Sequence, residues 1–328
     1  MYYLGIKNHT GVPQMHMLEP ALDELVRKQH PYRKLLALLD LGKLCAPLAN
    51  IRSHLGRDGY AVEVGFAAIL LQWMEDLSDR EAERFLQENN AAKFFCGFTL
   101  TQTTPDHSYF GRLRASIGIE RLAKIFNNVN DELRKQGVVS NIFTFVDASS
   151  MISKLTAWDE RDKAIKAGEE KLNNANIGDY SADKDARFGC KGKDKFWFGY
   201  KRHVAVDMKQ GIITEVAVTP ANVADDQGLD LVCPDGGMVV ADKAYCTKKA
   251  QEIMNKHGCH SGAIMKNKNH GKDAFLTRLR SPYENVFSKK QKRCRYRGIE
   301  KNQFQGLIEA LVFNFKRLVT INAPPLFA

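Results

Sequence analysis

A change in the spacing of apolar residues near Asn141 constrains the fold more than any other feature of the 328-residue sequence. Before this point apolar side chains recur at helical spacing, as in residues 61–76. After it, short β-rich runs bounded by turn residues predominate. The sequence therefore predicts an all-α N-terminal domain, residues 1–140, followed by an α/β domain, residues 141–328, in which helices flank a mixed sheet.

The N-terminal half contains two helix-start signals. Ser78 followed by Glu81 matches a capping box, and the Thr-Pro-Asp run at 104–106 predicts a helix that begins at the proline. That helix carries Arg112 and Arg114. Short helices with tight turns and a basic last helix fit a helix-turn-helix variant, which makes the two arginines candidate DNA contacts. A plain helical bundle fits the same spacing equally well.

The first four strands predicted in the second half are Ile142–Val146, Phe196–Val206, Ile212–Val218 and Met238–Ala241. The second and third form a hairpin through a turn that ends at Gly211. The polar segment 152–192 is predicted to be a flexible insertion. Further elements follow in sequence: a helix at Thr247–His257, a strand at Ser261–Met265, and C-terminal helices that end in the apolar stretch Leu307–Leu318.

Two of these strands end in a lone carboxylate, Asp147 after one and Asp242 after the other. Ligands of open α/β sheets bind outside the carboxyl ends of the strands, and an uncompensated charge is costly at the end of a buried strand. Glu284 is one of only five acids in residues 243–328. Each of the three also fits a helix cap, and Ser281-Pro282-Tyr283-Glu284 matches a capping box. The sequence is consistent with Glu284 as a helix cap and with Glu284 as a ligand.

The chemistry of these candidates favours a hard metal ion. Carboxylate oxygens without neighbouring histidine or cysteine suit Mg²⁺ or Mn²⁺. Two such ions stabilise the attacking and leaving oxygens of an in-line phosphoryl transfer. The run from His257 to His260 has no second ligand pair at zinc-finger spacing, which argues against zinc. Seven scattered cysteines without a CxxC pair indicate reduced thiols and a cytosolic protein.

Positive charge is concentrated at the C-terminal end of the chain. The whole chain has a net charge of +10, yet residues 243–328 alone carry 18 basic and 5 acidic side chains. Within it lies a run without any carboxylate, here called the basic segment: Lys289, Lys290, Lys292, Arg293, Arg295 and Arg297. Such a cluster favours a polyanionic partner, most simply the phosphates of double-stranded DNA. A solvated basic surface is the alternative.

Four ordered motifs carry a resemblance to a known family. They are Thr144–Ser149, then Phe198–Asp207 leading through Gly211 to Pro220–Asp225, then Val240–Tyr245, and finally Arg280 and Glu284–Phe287 followed by the basic segment. In these motifs the chain resembles bacterial insertion-sequence transposases of the insertion sequence 5 family, within the wider group that has a Tyr-Arg-Glu-Lys signature. Two positions depart from the signature, because Thr277 replaces its tyrosine and Gln291 its lysine.

The resemblance implies a DDE transposase with a ribonuclease-H-like catalytic domain. Asp147, Asp242 and Glu284 would then be the catalytic triad, binding two Mg²⁺ ions that Mn²⁺ can replace. The family also implies an N-terminal DNA-binding region, Arg280 at the DNA, and two protomers acting as a homodimer on two element ends. One strand at the terminal inverted repeat is hydrolysed, and its 3′-hydroxyl then attacks target DNA.

His203 and Asp225 are candidates for a supporting role. Both lie beside the first carboxylate strand in the predicted sheet, where they can orient the triad. A polar pair on a sheet face, without a role in catalysis, is equally consistent with the pattern. Two other functions remain open: a different ribonuclease-H-type nuclease, and a DNA-binding regulator without catalytic activity. Neither a membrane span nor a signal peptide is predicted, so the expected location is the bacterial cytosol, at the nucleoid.

Overall fold

The computed structural model describes residues 21–51, 59–154, 158–192, 195–265, 274–279, 281–283 and 292–327. Packing divides the chain into two compact units, one formed by Met1–Ala37 with Ser53–Ala115 and the other by Leu38–Arg52 with Ser116–Ala328. This division lies inside a helix, whereas the domain boundary predicted from sequence follows residue 140. The assignment of DNA binding to residues 1–140 stays a prediction.

Helices are the only regular elements described before residue 143. They are α1 (Leu22–Leu25), α2 (Pro31–Leu38), α3 (Leu41–Leu44), α4 (Val62–Met74), α5 (Asp79–Glu88), α6 (Asn90–Cys96) and α7 (His107–Lys135). Helix α7 is broken at Gly118, which has a positive φ of 66°. No helix in the described part of the chain is both long and apolar enough to cross a membrane.

Local sequence accounts for two of these helix starts. Ser78 and Glu81 form the predicted capping box at the start of α5, each accepting a hydrogen bond from the other's backbone N–H. Helix α7 begins two residues later than predicted. There the Asp106 side chain accepts a hydrogen bond from the Tyr109 backbone N–H at 3.0 Å, so the acid of the Thr-Pro-Asp run caps the helix, and the threonine does not.

A six-stranded mixed sheet forms the centre of the second unit. Its strands are β1 (Phe143–Ile152), β2 (Arg187–Lys191), β3 (Lys195–Asp207), β4 (Ile212–Pro220), β5 (Gly237–Ala241) and β6 (Cys259–Ala263). The long strand β3 is antiparallel to β1 on one side, and it pairs with β2 and then β4 on the other. Strands β1, β5 and β6 are parallel neighbours. The fold is thus a mixed α/β domain.

Helices cover the sheet. They are α8 (Trp158–Lys166), α9 (Ile177–Tyr180), α10 (Asp225–Gly228), α11 (Lys248–Lys256) and α12 (Ile299–Thr320). Helix α11 packs its buried Met254 into a core shared with Val146 of β1 and Val239 of β5. Helix α12 is joined to β4 by buried Asn314, whose side chain makes two 2.8 Å hydrogen bonds with the backbone of Ile213. These contacts fix the sheet edge at which the candidate carboxylates lie.

Two sequence predictions differ from this fold. Strand β1 does not end at Asp147 but continues to Ile152, because its second half pairs with β3 as far as Gly199. The segment 152–192, predicted to be a flexible insertion, contains α8, α9 and β2. Within it, Asp183 is buried and accepts hydrogen bonds from the hydroxyls of Ser153 and Tyr200. Strand β6 also begins two residues earlier than predicted.

Candidate active site

Asp147 and Asp242 lie side by side on adjacent parallel strands. Phe145 of β1 is the register partner of Val240 of β5, and each aspartate follows its member of this pair by two residues. Strand β5 ends at Ala241, so beyond that point β1 continues without β5 as a neighbour. The two carboxylates therefore meet at the carboxyl end of β5, which is where a parallel sheet presents ligand-binding groups.

The environment of Asp147 opposes its negative charge. The pKa of its carboxyl is raised to about 6, mainly by burial and also by the charges of Asp242 and Asp225. A backbone hydrogen bond from Ala148 N–H and the positive charge of Lys191 act in the opposite direction. A cation that binds between Asp147 and Asp242 would stabilise the ionised form of Asp147.

Asp242 has the cap role that the sequence left open. Its Oδ1 accepts a 2.8 Å hydrogen bond from the Ala244 backbone N–H, at the start of a short 3₁₀ turn formed by Lys243–Tyr245. The contact orients the side chain and uses one of its two oxygens. Capping and ligand binding are therefore compatible in this residue.

A second pair of acids, Asp225 and Asp226, begins α10 next to this site. Asp225 forms a 2.7 Å ion pair with the ammonium group of Lys201 on β3. Asp226 accepts a 2.9 Å hydrogen bond from Thr247, the N-cap residue of α11. Tyr245 is buried among these acids, and burial together with their negative charges raises the pKa of its phenol. Asp225 is thus bonded to β3, and Asp226 is bonded to the start of α11.

His203 is fully buried on β3, opposite Ala148 of β1. Its Nε2 lies 2.9 Å from the Thr219 hydroxyl on β4, while its Nδ1 has no hydrogen-bond partner among the described residues. Burial lowers the pKa of the imidazole to about 4. Gly228 packs against the ring so closely that a Cβ there would overlap it. His203 is therefore a neutral side chain in a tightly packed position.

The carboxylates fit a hard divalent cation. They offer oxygen atoms only, and their mutual repulsion is what a bound cation relieves. Among the described residues, no three histidine, cysteine or acidic side chains are grouped closely enough to hold a metal. Glu284, the third predicted ligand, lies outside the described residues, as do Arg280, Lys289 and Lys290. The pair of aspartates is thus the described part of the candidate metal site.

The chain on either side of Glu284 is held at the two ends of β1. Just before it, the Tyr283 hydroxyl donates a hydrogen bond to the carbonyl of Met208, and the Met208 N–H donates to Phe143 at the start of β1. After it, Lys292 accepts a 2.6 Å hydrogen bond from the backbone N–H of Ile152, the last residue of β1. Asp147 lies between these two anchor points.

The described part of the basic segment, with four of its six cations, therefore begins beside the end of β1. Arg293 is the bridge partner of Ile152. Lys292, Arg293 and Arg297 are exposed, whereas Arg295 is half-buried and its backbone N–H is bonded to Gln305. Ile152, the bridge partner of Arg293, lies five strand residues beyond Asp147, or roughly 17 Å along β1.

The two arginines predicted as N-terminal DNA contacts differ in their surroundings. Arg114 forms a two-pronged ion pair with Asp79, at 2.6 and 2.8 Å, and only 12% of its side chain is exposed. Its guanidinium group is thus engaged within the helical unit. Arg112 is exposed and lies 3.1 Å from the Ser108 hydroxyl. Of the two, Arg112 is the one whose side chain faces solvent.

Two family models match parts of the chain. Residues 162–315 match the Transposase DDE domain family, and residues 20–116 match the Transposase domain (DUF772) family. No solved structure matches the chain. A mixed sheet with paired aspartates, joined to these two matches, defines a transposase, an enzyme that acts on DNA. The chain belongs to the DDE transposases of insertion sequences, a class that uses divalent metal ions.

Proposed function

We propose that this transposase cuts one strand at each terminal inverted repeat of its element and joins the exposed 3′-hydroxyl to target DNA. The observation that carries the proposal is the adjacency of Asp147 and Asp242 at the carboxyl end of β5. In this proposal the second unit is a ribonuclease-H-like domain, and the element belongs to the insertion sequence 5 family with its Tyr-Arg-Glu-Lys signature.

Asp147, Asp242 and Glu284 hold two Mg²⁺ ions, which Mn²⁺ can replace. When bound, the ions stabilise negative charge on the attacking and leaving oxygens of the phosphodiester. The chain supplies the geometry: the pairing of β1 with β5 sets the spacing of the two aspartates. The Ala244 N–H fixes the orientation of Asp242. Burial of Asp147 limits access of bulk water to its carboxylate.

Glu284 is within reach of this pair. It directly follows Tyr283, which is anchored near the start of β1. It precedes Lys292, anchored at the end of β1, by eight residues, which span at most about 29 Å when extended. Since Asp147 lies between the two anchors, chain connectivity permits Glu284 to reach it. This supports the assignment of the third ligand.

DNA is bound in this proposal mainly by the basic segment. Its exposed lysine and arginines next to β1 attract the phosphates of the strand to be cut. Arg280 and Arg112 are proposed as further contacts. Two protomers, each holding one element end, form the active homodimer in the bacterial cytosol, at the nucleoid.

His203 and Asp225 are proposed as positioning residues. Asp225 holds Lys201 beside the acidic site through their ion pair, and its charge also acts on His203. His203 keeps β3 and β4 in register through Thr219. In this way the pair fixes the face of the sheet on which the catalytic carboxylates lie. A cleavage rate for His203→Ala within a fewfold of wild type would reduce the residue to a packing role.

The experiment uses full-length protein and a plasmid that carries the gene with its flanking DNA. In Mg²⁺ or Mn²⁺ we expect nicks at the element ends with free 3′-hydroxyls, followed by joined products. Asp147→Asn should abolish both products while leaving DNA binding intact. Cleavage without joining would identify a nuclease of another type, and binding without cleavage would identify a regulator. Either result contradicts the proposal.

A further inference from the structure

The hairpin formed by β2 and β3 extends a basic and aromatic tip into solvent. Lys191 of β2 pairs with Lys195 of β3, and the neighbouring position is occupied by Phe196. Both lysines are exposed, and Phe196 is 71% exposed, the largest value among the exposed apolar side chains of the described residues. Neither lysine has an ion-pair or hydrogen-bonded side-chain partner among the described residues.

The hairpin borders the acidic site, and Gly199 lets β3 pass close to β1 at its base. This glycine has a φ of 148°, and a Cβ there would overlap the carbonyl oxygen of Met151 on β1. Phe188–Cys190 of β2 then face Ala244, which follows Asp242 by two residues, across a groove of about 540 Å³. Asp225 and Asp226 line the same groove, so β2 borders the acidic site.

A cation is needed at this position if DNA is to reach the carboxylates. Asp147, Asp242, Asp225 and Asp226 repel the phosphates of an approaching strand. Lys201 lies within the site, but its ammonium group is already paired with Asp225. Lys191 and Lys195 extend above the groove and carry the charge that offsets this repulsion.

The exposed ring of Phe196, next to Lys195, suits a second property of DNA, the flat apolar faces of its bases. A single exposed apolar residue is ordinary on a protein surface, so exposure alone decides nothing. Beside two phosphate-binding cations, however, an aromatic ring can insert at a base step or stack on an unpaired base. Phe196 is placed to do so at the strand that the aspartates would cut.

We propose that Lys191, Lys195 and Phe196 form a DNA-binding element that holds the strand to be cut beside Asp147 and stacks Phe196 on an unpaired base. The inference rests on the proposed function for its choice of substrate. It assigns a site outside the basic segment and commits to distorted DNA as the occupant. Recognition is by phosphate and by the base face, so it is independent of sequence.

The test measures binding without cleavage. An Asp147→Asn background and two short duplexes are used, one fully paired and one with a central mismatch that contains 2-aminopurine. The parent should prefer the mismatched duplex by roughly 5- to 150-fold, the range given by stacking on one base. Phe196→Ala should lose this preference and the 2-aminopurine signal, while Phe196→Trp retains both. Leu231→Ala, a control at a 56% exposed apolar residue, should change neither.

The lysines are tested by salt dependence. Replacing Lys191 and Lys195 by alanine should reduce the slope of log K against log salt by about 2. Replacing Lys135 and Lys256, two exposed lysines on other elements, should leave the slope unchanged. Equal slopes for both double variants would overturn the assignment of the lysines.

Other outcomes separate this inference from the proposed function. A retained mismatch preference in Phe196→Ala, or equal loss of affinity for both duplexes, overturns the stacking role. A dimer that dissociates in Phe196→Ala without DNA, with the mismatch preference unchanged, would assign the ring to a protein interface and also overturn it. If the wild-type protein never nicks the plasmid but the mismatch preference depends on Phe196, the proposed function fails and the hairpin site stands.

Discussion

Asp147 and Asp242 occupy equivalent positions on two adjacent parallel strands, each two residues beyond the register pair formed by Phe145 and Val240. This relationship is set by backbone pairing, so neither side chain needs the other to be in place. Two carboxylates held this way repel each other, and the pKa of Asp147 is raised to about 6 by burial and by the charge of Asp242. This repulsion lowers the stability of the folded protein, and such an unfavourable arrangement is typical of a ligand-binding site.

Removing the Asp147 charge should therefore stabilise the metal-free protein. Burial disfavours its ionised form at pH 7, and Asn keeps an oxygen for the Ala148 N–H. We expect Asp147→Asn to raise the free energy of unfolding by about 1–3 kcal/mol in the presence of a chelator. The measurement is chemical denaturation of both proteins.

With divalent metal bound, the wild type should instead be more stable than Asp147→Asn. Mg²⁺ or Mn²⁺ at 100 times its dissociation constant stabilises the wild type by about 2.7 kcal/mol, and Asp147→Asn much less. Asp235→Asn is the control, since its side chain is 97% exposed and the residue precedes the start of β5, at the opposite end of that strand from Asp242. An equal metal-induced shift in wild type and Asp147→Asn would show that the aspartate is not a ligand.

The basic segment should bind phosphate and not read bases. If its six cations neutralise about six phosphates, log K falls with log salt at a slope near −5. Replacing Lys289, Lys290, Lys292 and Arg293 by alanine should reduce this slope by up to about 4 and weaken binding to all sequences alike. Binding isotherms at several salt concentrations test this. An unchanged slope would indicate a solvated surface, and loss of preference for one sequence at unchanged slope would indicate base reading.

The buried imidazole of His203 makes stability depend on pH. Its pKa is lowered to about 4, mainly by burial and also by Lys201, while Asp225 acts in the opposite direction. The unfolded chain binds a proton near pH 6.5 and the folded protein only near pH 4. This contribution is therefore complete above pH 6.5 and is lost as the pH falls toward 4, by at most about 3 kcal/mol.

His203→Gln should remove that dependence. We expect a flatter plot of unfolding free energy against pH between 4 and 7 than for wild type, whatever the difference in stability at pH 7. Parallel curves for wild type and His203→Gln would mean that folding does not shift the pKa of the imidazole, which contradicts this prediction.

Much of the sheet could be predicted from sequence because its strands are apolar. Strands β3, β4 and β5 lie within a few residues of their predicted bounds, and so does α11. The last helix contains the predicted apolar stretch Leu307–Leu318 but begins earlier, at Ile299. The adjacency of Asp147 and Asp242 was also predicted, from a general rule about strand ends. The register places the two aspartates at neighbouring positions although β1 continues past Asp147, because β5 ends one residue before Asp242. The convergence of their carboxylates with Glu284 on one metal site stays a prediction.

The remaining features depend on pairing between distant segments. The second half of β1 contains an aspartate and two serines, and it is a strand because β3 satisfies its backbone. Strand β2 is five residues long and carries two cations, so its apolar pattern gave no signal. The close approach of β3 to β1 at Gly199 and the groove between β2 and Ala244 depend on tertiary contacts, which no local motif reveals. Lys201, Asp226 and Tyr245 were missed as site residues, although Asp226 is adjacent to a predicted one.

The ion pair between Arg202 and Glu309 offers a test of how α12 is fixed to the sheet. Only 2% of the arginine side chain and 10% of the glutamate side chain are exposed. Glu309→Gln would leave the guanidinium charge of Arg202 buried without a counter-ion, and we expect a loss of about 3–5 kcal/mol in the free energy of unfolding. Urea denaturation measures this loss.

A matched pair of controls separates burial from charge. Asp23→Asn breaks the Arg33–Asp23 pair, in which the aspartate is 72% exposed, and should cost no more than about 1 kcal/mol. The double variant Arg202→Met with Glu309→Leu removes both buried charges and should recover most of the loss, because a packed apolar pair avoids the desolvation of two ions. If Glu309→Gln costs no more than Asp23→Asn, water reaches the Arg202 guanidinium. In that case the attachment of α12 to β3 and β4 depends on its apolar face and on Asn314, and not on this ion pair.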